Sequence, residues 1–187
     1  MQNELIELSV DKELYIKQIT EDKVINITGE SGSGKSFYVQ KYYSNDEYIV
    51  IDTDEVFSRF QTSTGINREL GEMFRKKYVI LPDICEDFDT IYSEILEYFK
   101  NSNKTIVIDS AQFRNLKNLK ILKGKIIILR TSVNTCYQRC LERFKNKYPE
   151  ATNEEFENYA IKKKQIYRWY KKLNEFILSV AELKNLK

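Results

Sequence analysis

Val24-Ile25-Asn26-Ile27-Thr28-Gly29-Glu30-Ser31-Gly32-Ser33-Gly34-Lys35-Ser36 decides the fold of this 187-residue chain. Residues 29–36 complete the pattern G-x-x-x-x-G-K-[ST], a phosphate-binding loop. Residues 24–28 before it read as a buried strand, and residues 37–43 after it read as a helix. That strand–loop–helix context is what the pattern needs to carry chemistry. Glycines let consecutive backbone N–H groups turn inward as an anion nest, which Cβ atoms would obstruct. Lys35 offers a point charge for the β- and γ-phosphates, Ser36 a hydroxyl for Mg²⁺, and the helix N-terminus a favourable dipole. The candidate nucleotide contacts are Gly29, Glu30, Ser31, Gly32, Ser33, Gly34, Lys35, Ser36 and Phe37.

Composition narrows the choice of partners. Thirty Lys and Arg against 28 Asp and Glu leave a net charge of +2. That balance argues against a nucleic-acid or membrane partner chosen by charge alone. The longest apolar runs, such as Ile126-Ile127-Ile128-Leu129, are strand-sized rather than membrane-spanning. No basic-then-apolar leader opens the sequence, so a cytoplasmic location is expected. Cys85, Cys136 and Cys140 are an odd, sparse set that reads as reduced thiols. Cys136 and Cys140 lie one helical turn apart, but the chain has no histidine, so packed thiols are expected rather than zinc. Missing histidine also excludes Ser–His and Cys–His nucleophiles, leaving carboxylates, lysine, arginine and a metal to do any chemistry.

Four segments read as strands: residues 24–28, 48–51, 105–108 and 125–129. Each is short, β-branched and almost continuously apolar, as strands covered on both faces are. Helical patterns alternate with them at 36–43, 87–100 and 135–144, and 153–179 reads as a long helix or helix pair. Buried strands alternating with helices predict an α/β fold with a mostly parallel sheet and the site along one sheet edge. Residues 5–19 fit either an N-terminal pair of strands or one helix. Residues 146–152, with Pro149, break the chain between two helices. The basic stretch 162–172 interleaves lysines with aromatics, yet Ile166, Trp169, Tyr170, Leu173, Phe176 and Ile177 fall on one helical stripe. A core-facing helix explains it better than a nucleic-acid surface.

Charged residues gather where a parallel sheet presents its strand ends. Asp109 follows three apolar residues, as a magnesium-binding aspartate at a strand end does. Asp52 and Asp54 follow the second strand; alternating along an extended segment, they are expected to point to opposite sides. One would face the phosphates and the other would cap the next helix. Ser36, Asp52 and Asp109 are therefore the candidate Mg²⁺ ligands, and Asp54 the group that orients or deprotonates an acceptor. Arg139 and Arg143, at i and i+4 before the Pro149 loop, could clamp the charge of a phosphoryl transition state.

Together these residues resemble the small P-loop kinases, the group of nucleoside-monophosphate kinases and shikimate kinase-like enzymes. Gly29, Gly32, Gly34, Lys35 and Ser36 have that family's loop spacing, and Ile51-Asp52-Thr53-Asp54 is similar to its hDxD segment. Gly71-Glu72-Met73-Phe74-Arg75 resembles the G-E-x-x-F-R segment of shikimate kinases. Ile128-Leu129-Arg130-Thr131-Ser132, with Arg139 and Arg143 after it, resembles the strand–helix–lid passage. Asp109-Ser110-Ala111-Gln112 departs from the glycine-rich turn of shikimate kinases, and Arg114 follows instead. A fifth parallel strand is not legible; residues 175–180 or an N-terminal strand would have to flank the sheet.

The resemblance implies a P-loop NTPase fold, a three-layer α/β/α sandwich with a small helical lid. It implies one domain over 1–187, with a core at about 21–145, C-terminal helices at 153–180 and a lid at about 139–155. It implies an ATP-dependent kinase that uses ATP (or another NTP) with Mg²⁺, acting on a small-molecule acceptor held by Asp54, Arg59, Arg75 and Arg114. Two other readings stay open: a nucleotide-dependent switch ATPase without a small acceptor, and a kinase of polynucleotide ends.

Overall fold

A computed structural model describes residues 7–9, 12–58 and 63–183. Among the described residues the chain is an α/β protein built on a six-stranded sheet of order β1-β2-β6-β3-β5-β4. Its strands are β1 (Glu7–Ser9), β2 (Lys12–Gln18), β3 (Val24–Gly29), β4 (Tyr48–Asp52), β5 (Thr105–Asp109) and β6 (Lys125–Thr131). The four expected strands are all present and run parallel to one another, with β3 between β5 and β6. The ambiguous N-terminal stretch forms an antiparallel hairpin, and β2 pairs antiparallel with β6 from Lys12↔Thr131 to Gln18↔Lys125. Residues 5, 6, 10 and 11 of that stretch lie outside the described residues. The hairpin is what flanks the sheet; residues 175–180 are helical and supply no strand.

Around the sheet lie α1 (Lys35–Tyr42), α2 (Thr53–Val56), α3 (Gly65–Lys77), α4 (Phe88–Tyr98), α5 (Val133–Lys147), α6 (Asn153–Lys163) and α7 (Gln165–Glu182). The period-two alternation of the strands divides the core between two faces. Ile106, Ile108, Ile126 and Ile128 pack in one core with Leu70 and Phe74 of α3, Ile91 and Ile95 of α4, and Leu173 and Phe176 of α7. Ile27, Val107, Ile127 and Leu129 face the other way, toward Val39 of α1. Helices therefore cover both sides of the sheet. The basic stretch behaves as a core-facing helix, with Ile166, Leu173, Phe176 and Val180 buried.

Local capping fixes the helix ends near the strand tips. Ser132 Oγ accepts the Thr135 N–H at the start of α5 (3.2 Å), and Thr152 with Glu155 forms a capping box on α6. Lys17 Nζ reaches the C-terminal carbonyls of α7 at Val180 (2.9 Å), Ala181 (2.8 Å) and Leu183 (2.7 Å). A cation there satisfies orphan carbonyls and the negative end of the helix dipole, and it binds the hairpin to α7. No helix among the described residues is long and apolar enough to cross a membrane.

Candidate functional site

The glycine-rich loop leaves the central strand β3 and enters α1 at Lys35. Gly32 adopts φ +85°, and a Cβ there would lie 2.5 Å from the Cys136 carbonyl oxygen, so the loop rests directly on α5. Gly34 adopts φ +94° with open space where its Cβ would be. Both conformations favour glycine, but only Gly32 is also demanded by packing. Side chains of β6 and α5 hold the loop from behind. Thr131 Oγ1 donates to the Ser33 carbonyl at 3.0 Å, Arg139 Nη1 donates to the Gly32 carbonyl at 3.2 Å, and Cys140 Sγ meets Ser31 Oγ at 3.4 Å. A trans peptide points its C=O and N–H in opposite directions, so fixing the Ser33 carbonyl on Thr131 turns the Gly34 N–H to the other side.

Lys35 Nζ spans the loop, donating to the carbonyls of Gly29 (2.9 Å) and Glu30 (3.3 Å). Ser36 follows in the first turn of α1 and is exposed, as is Phe37, 70% accessible. Cys136 and Cys140 are free and buried, as packed thiols should be, and burial pushes the Cys136 thiol up to about 11. An un-ionised thiol there serves packing rather than nucleophilic chemistry.

Opposite the lysine stand the strand-end acids. Asp52 and Asp109 are register partners on β4 and β5, and Asp109 also pairs with Ile27 of β3. Asp52 does not alternate with Asp54 along an extended segment. The strand stops at Asp52, whose Oδ1 accepts from the N–H groups of Asp54 (2.9 Å) and Glu55 (3.3 Å), so α2 starts one residue later. Capping wins because the helix N–H groups need an acceptor and Asp52 is the residue placed to give one. Thr53 is the residue turned inward, donating from Oγ1 to Ser110 Oγ at 2.7 Å and tying the tips of β4 and β5 together.

The electrostatics of the acids reflect their crowding. Asp109 is 6% exposed; burial raises its pKa to about 7, against the pull of Lys35 and with help from Asp52 and Asp54. Asp54 presents an exposed surface, yet it lies within enough protein for desolvation to raise its pKa first, the Asp52 charge second. Lys35, Arg114 and Lys163 oppose that rise. Lys35 and these acids therefore lie within electrostatic reach of one another at the strand tips. Among the described residues no three His, Cys, Asp or Glu side chains group as a protein-only metal cage. Mg²⁺ needs none, since it retains waters and takes one or two carboxylates plus substrate phosphates. The donor set of Ser36, Asp52 and Asp109 fits that habit.

The remaining candidates are distributed unevenly. Arg114, on the 3-10 helix Ala111–Asn115, sits beside Glu30 with Nη1 3.2 Å from Oε1. Arg75 on α3 is exposed and donates to the Ser58 carbonyl at 3.3 Å. Arg143 is exposed, and its charge is felt by Tyr159 on α6. Arg59 lies outside the described residues. Lys163, at the end of α6, acts electrostatically on both Glu30 and Asp54. The sequence offered it only as one lysine in a basic helix, and nothing in its spacing singles it out.

Compared with known proteins, the chain matches no protein-family model and no curated sequence.

Proposed function

We propose that this protein is an ATP-dependent phosphotransferase that moves the γ-phosphoryl group of a Mg-nucleotide to a hydroxyl or phosphate of a small acceptor. The observation that carries the reading is the strand register that sets Asp52 and Asp109 side by side at the tips next to the glycine-rich loop, whose Lys35 is near enough to act on both Asp109 and Asp54. The loop amides and Lys35 would hold the phosphates, and the fixed Gly32 and Ser33 carbonyls keep the loop shaped for them. Ser36, Asp109 and Asp52 would hold Mg²⁺, which when bound neutralises charge between the β- and γ-phosphates.

Asp54 has the character of the acceptor's proton partner. Its pKa lies above that of an ordinary carboxylate, which strengthens it as a base toward a hydroxyl. The acceptor oxygen forms the new bond to the γ-phosphorus as the bond to the β-bridging oxygen breaks, and Asp54 takes or steers the hydroxyl proton. Arg143 would meet the charge on the equatorial oxygens, while Arg139 is engaged on the Gly32 carbonyl and would reach them only by leaving it. A screen of γ-labelled ATP against nucleosides, nucleotides, sugars and shikimate tests the reading. Label transferred to one acceptor is the expected result, and label released only to water would favour the switch ATPase. That second reading has one observation on its side, the antiparallel hairpin β1–β2 at the sheet edge.

A further inference from the structure

Three side chains from three separate elements form a stack, with the acid and the arginine buried and the tryptophan half-buried, for which the transfer chemistry above gives no reason. Glu30 comes from the glycine-rich loop, Arg114 from the 3-10 helix after β5, and Trp169 from α7. The Glu30 and Arg114 side chains are 1% and 5% exposed, and the guanidinium carbon lies 5.2 Å from the centre of the Trp169 ring. Arg114 also donates to the Ala111 carbonyl. The pair is incompletely satisfied, because both Glu30 carboxylate oxygens and Arg114 Nε lack a hydrogen-bond partner.

Such a pair is a poor stabilising device. Desolvating two ions is offset only when geometry is good and the remaining lone pairs and protons find partners. A reason for its presence lies in what its two ends touch. The Glu30 carbonyl accepts from Lys35 Nζ, while its carboxylate faces Arg114. Arg114 in turn lines a cleft of about 420 Å³ between the 3-10 helix and α7, alongside Cys85, Lys172, Glu175 and Ser179.

We propose that Glu30 is a positioning residue: its carboxylate holds the Arg114 guanidinium against Trp169 and so couples occupancy of the glycine-rich loop to the wall of the cleft between the 3-10 helix and α7. The proposal rests on the nucleotide-binding reading of that loop. Backbone movement at residue 30 on phosphate binding would be carried by a short, buried, charged contact to Arg114 and then to α7. Packed interiors pass such displacements on rather than absorbing them.

Trp169 is the only tryptophan in the chain, so its emission reports on the far end of the stack. Calorimetric titration with Mg·AMP-PNP measures nucleotide binding separately. The wild-type protein should bind and change its Trp169 emission with the same midpoint. Glu30→Gln, saturated with nucleotide by its own calorimetric midpoint, should show an emission change about fivefold or more smaller than that of the saturated wild type, because the contact that carries the displacement has been weakened. An emission change of equal size in Glu30→Gln, or binding with a silent Trp169 in the wild type, overturns the proposal alone. Absence of calorimetric binding in the wild type instead removes the nucleotide reading, and this proposal with it.

Glu30→Gln leaves the Arg114 charge buried, so the double variant Glu30→Gln/Arg114→Gln removes both charges together. If the two residues act as one device, the double variant loses no more of the emission change than Glu30→Gln does; additive losses argue that they act separately. A further arm needs no variant. Mg·AMP-PNP should slow amide exchange at residues 111–115 and around Trp169 as well as at 29–36, and protection confined to the loop would sink the coupling.

Discussion

Asp52 and Asp109 are register partners on neighbouring parallel strands, so the tips of β4 and β5 carry two carboxylates side by side. Asp52 has its Oδ1 engaged by the first amides of α2, whereas Asp109 is buried with its pKa raised to about 7. Adjacent acids of unequal solvation are what a cation bridging the sheet edge and a phosphate would relieve. The arrangement therefore has consequences for stability as well as for the proposed transfer.

Without metal, Asp109 should make the fold less stable as pH rises. Its folded pKa lies above its ordinary value of 3.8, so the folded state binds the proton more tightly than the unfolded chain does. The sign follows from linkage: no penalty below about pH 4, a growing one up to about 7, and a constant one above. The difference corresponds to at most about 4 kcal/mol. In EDTA, Asp109→Asn should melt several degrees above wild type at pH 8 and close to it at pH 4. A melting difference that does not change with pH would rule this out. In the presence of ATP the same variant should lose the extra stabilisation that Mg²⁺ gives.

Lys35 contributes little to the bare fold, since its ammonium only bridges two loop carbonyls at a partly exposed position. Lys35→Ala should accordingly fold with a melting temperature within a few degrees of wild type. Its nucleotide-dependent thermal stabilisation should vanish, because stabilisation by a ligand grows as the logarithm of one plus the ratio of ligand concentration to Kd, and a weakened Kd removes it. Thermal-shift titration with Mg·ATP checks both halves, and an undiminished shift would remove the phosphate-loop assignment.

Much of this architecture is readable from residues alone, and the failures are local. The apolar runs at 24–28, 48–51, 105–108 and 125–129 fall inside the observed strands, because a strand buried on both faces has an unmistakable pattern. The ends extend one or two residues further, onto Gly29, Asp52, Asp109 and Thr131, where ladder hydrogen bonds continue past the last apolar side chain. Asp52 and Asp54 defeat the alternation rule because a cap converts strand to helix between them. Helix α3, which begins at Gly65 and contains Gly71, is weakly marked by propensity and is held by burial of Leu70 and Phe74. The contact of Glu30 with Arg114 joins residues distant in sequence, and no local pattern announces it.

Gly32 and Gly34 should respond differently to alanine. At Gly34 the added methyl meets nothing, so Gly34→Ala carries only the conformational cost of a positive φ, roughly 1–2 kcal/mol. Gly32→Ala adds to that cost a contact of 2.5 Å with the backbone carbonyl of Cys136, which cannot rotate away. Gly32→Ala should therefore be the less stable of the two, with its loop displaced from α5. Thermal melts rank the pair, where about 1 kcal/mol corresponds to roughly 2–4 °C in a domain of this size. Equal melting temperatures would mean that α5 yields to the loop.

Asp54→Asn separates binding from chemistry. The side chain belongs to α2 and holds no loop amide, and the cap that starts the helix is Asp52, so the fold and the nucleotide site should persist. Removing one negative charge from beside Asp52 and Asp109 should if anything ease the approach of a polyphosphate. Transfer to the acceptor should fall by about 10²–10⁴-fold, the range for loss of a positioned proton acceptor. The loss should appear in kcat with the KM for ATP little changed, since an interaction made in the transition state is the one removed. Transfer at the wild-type rate would take Asp54 out of the mechanism and leave Asp52 and Asp109 as the acids to test next.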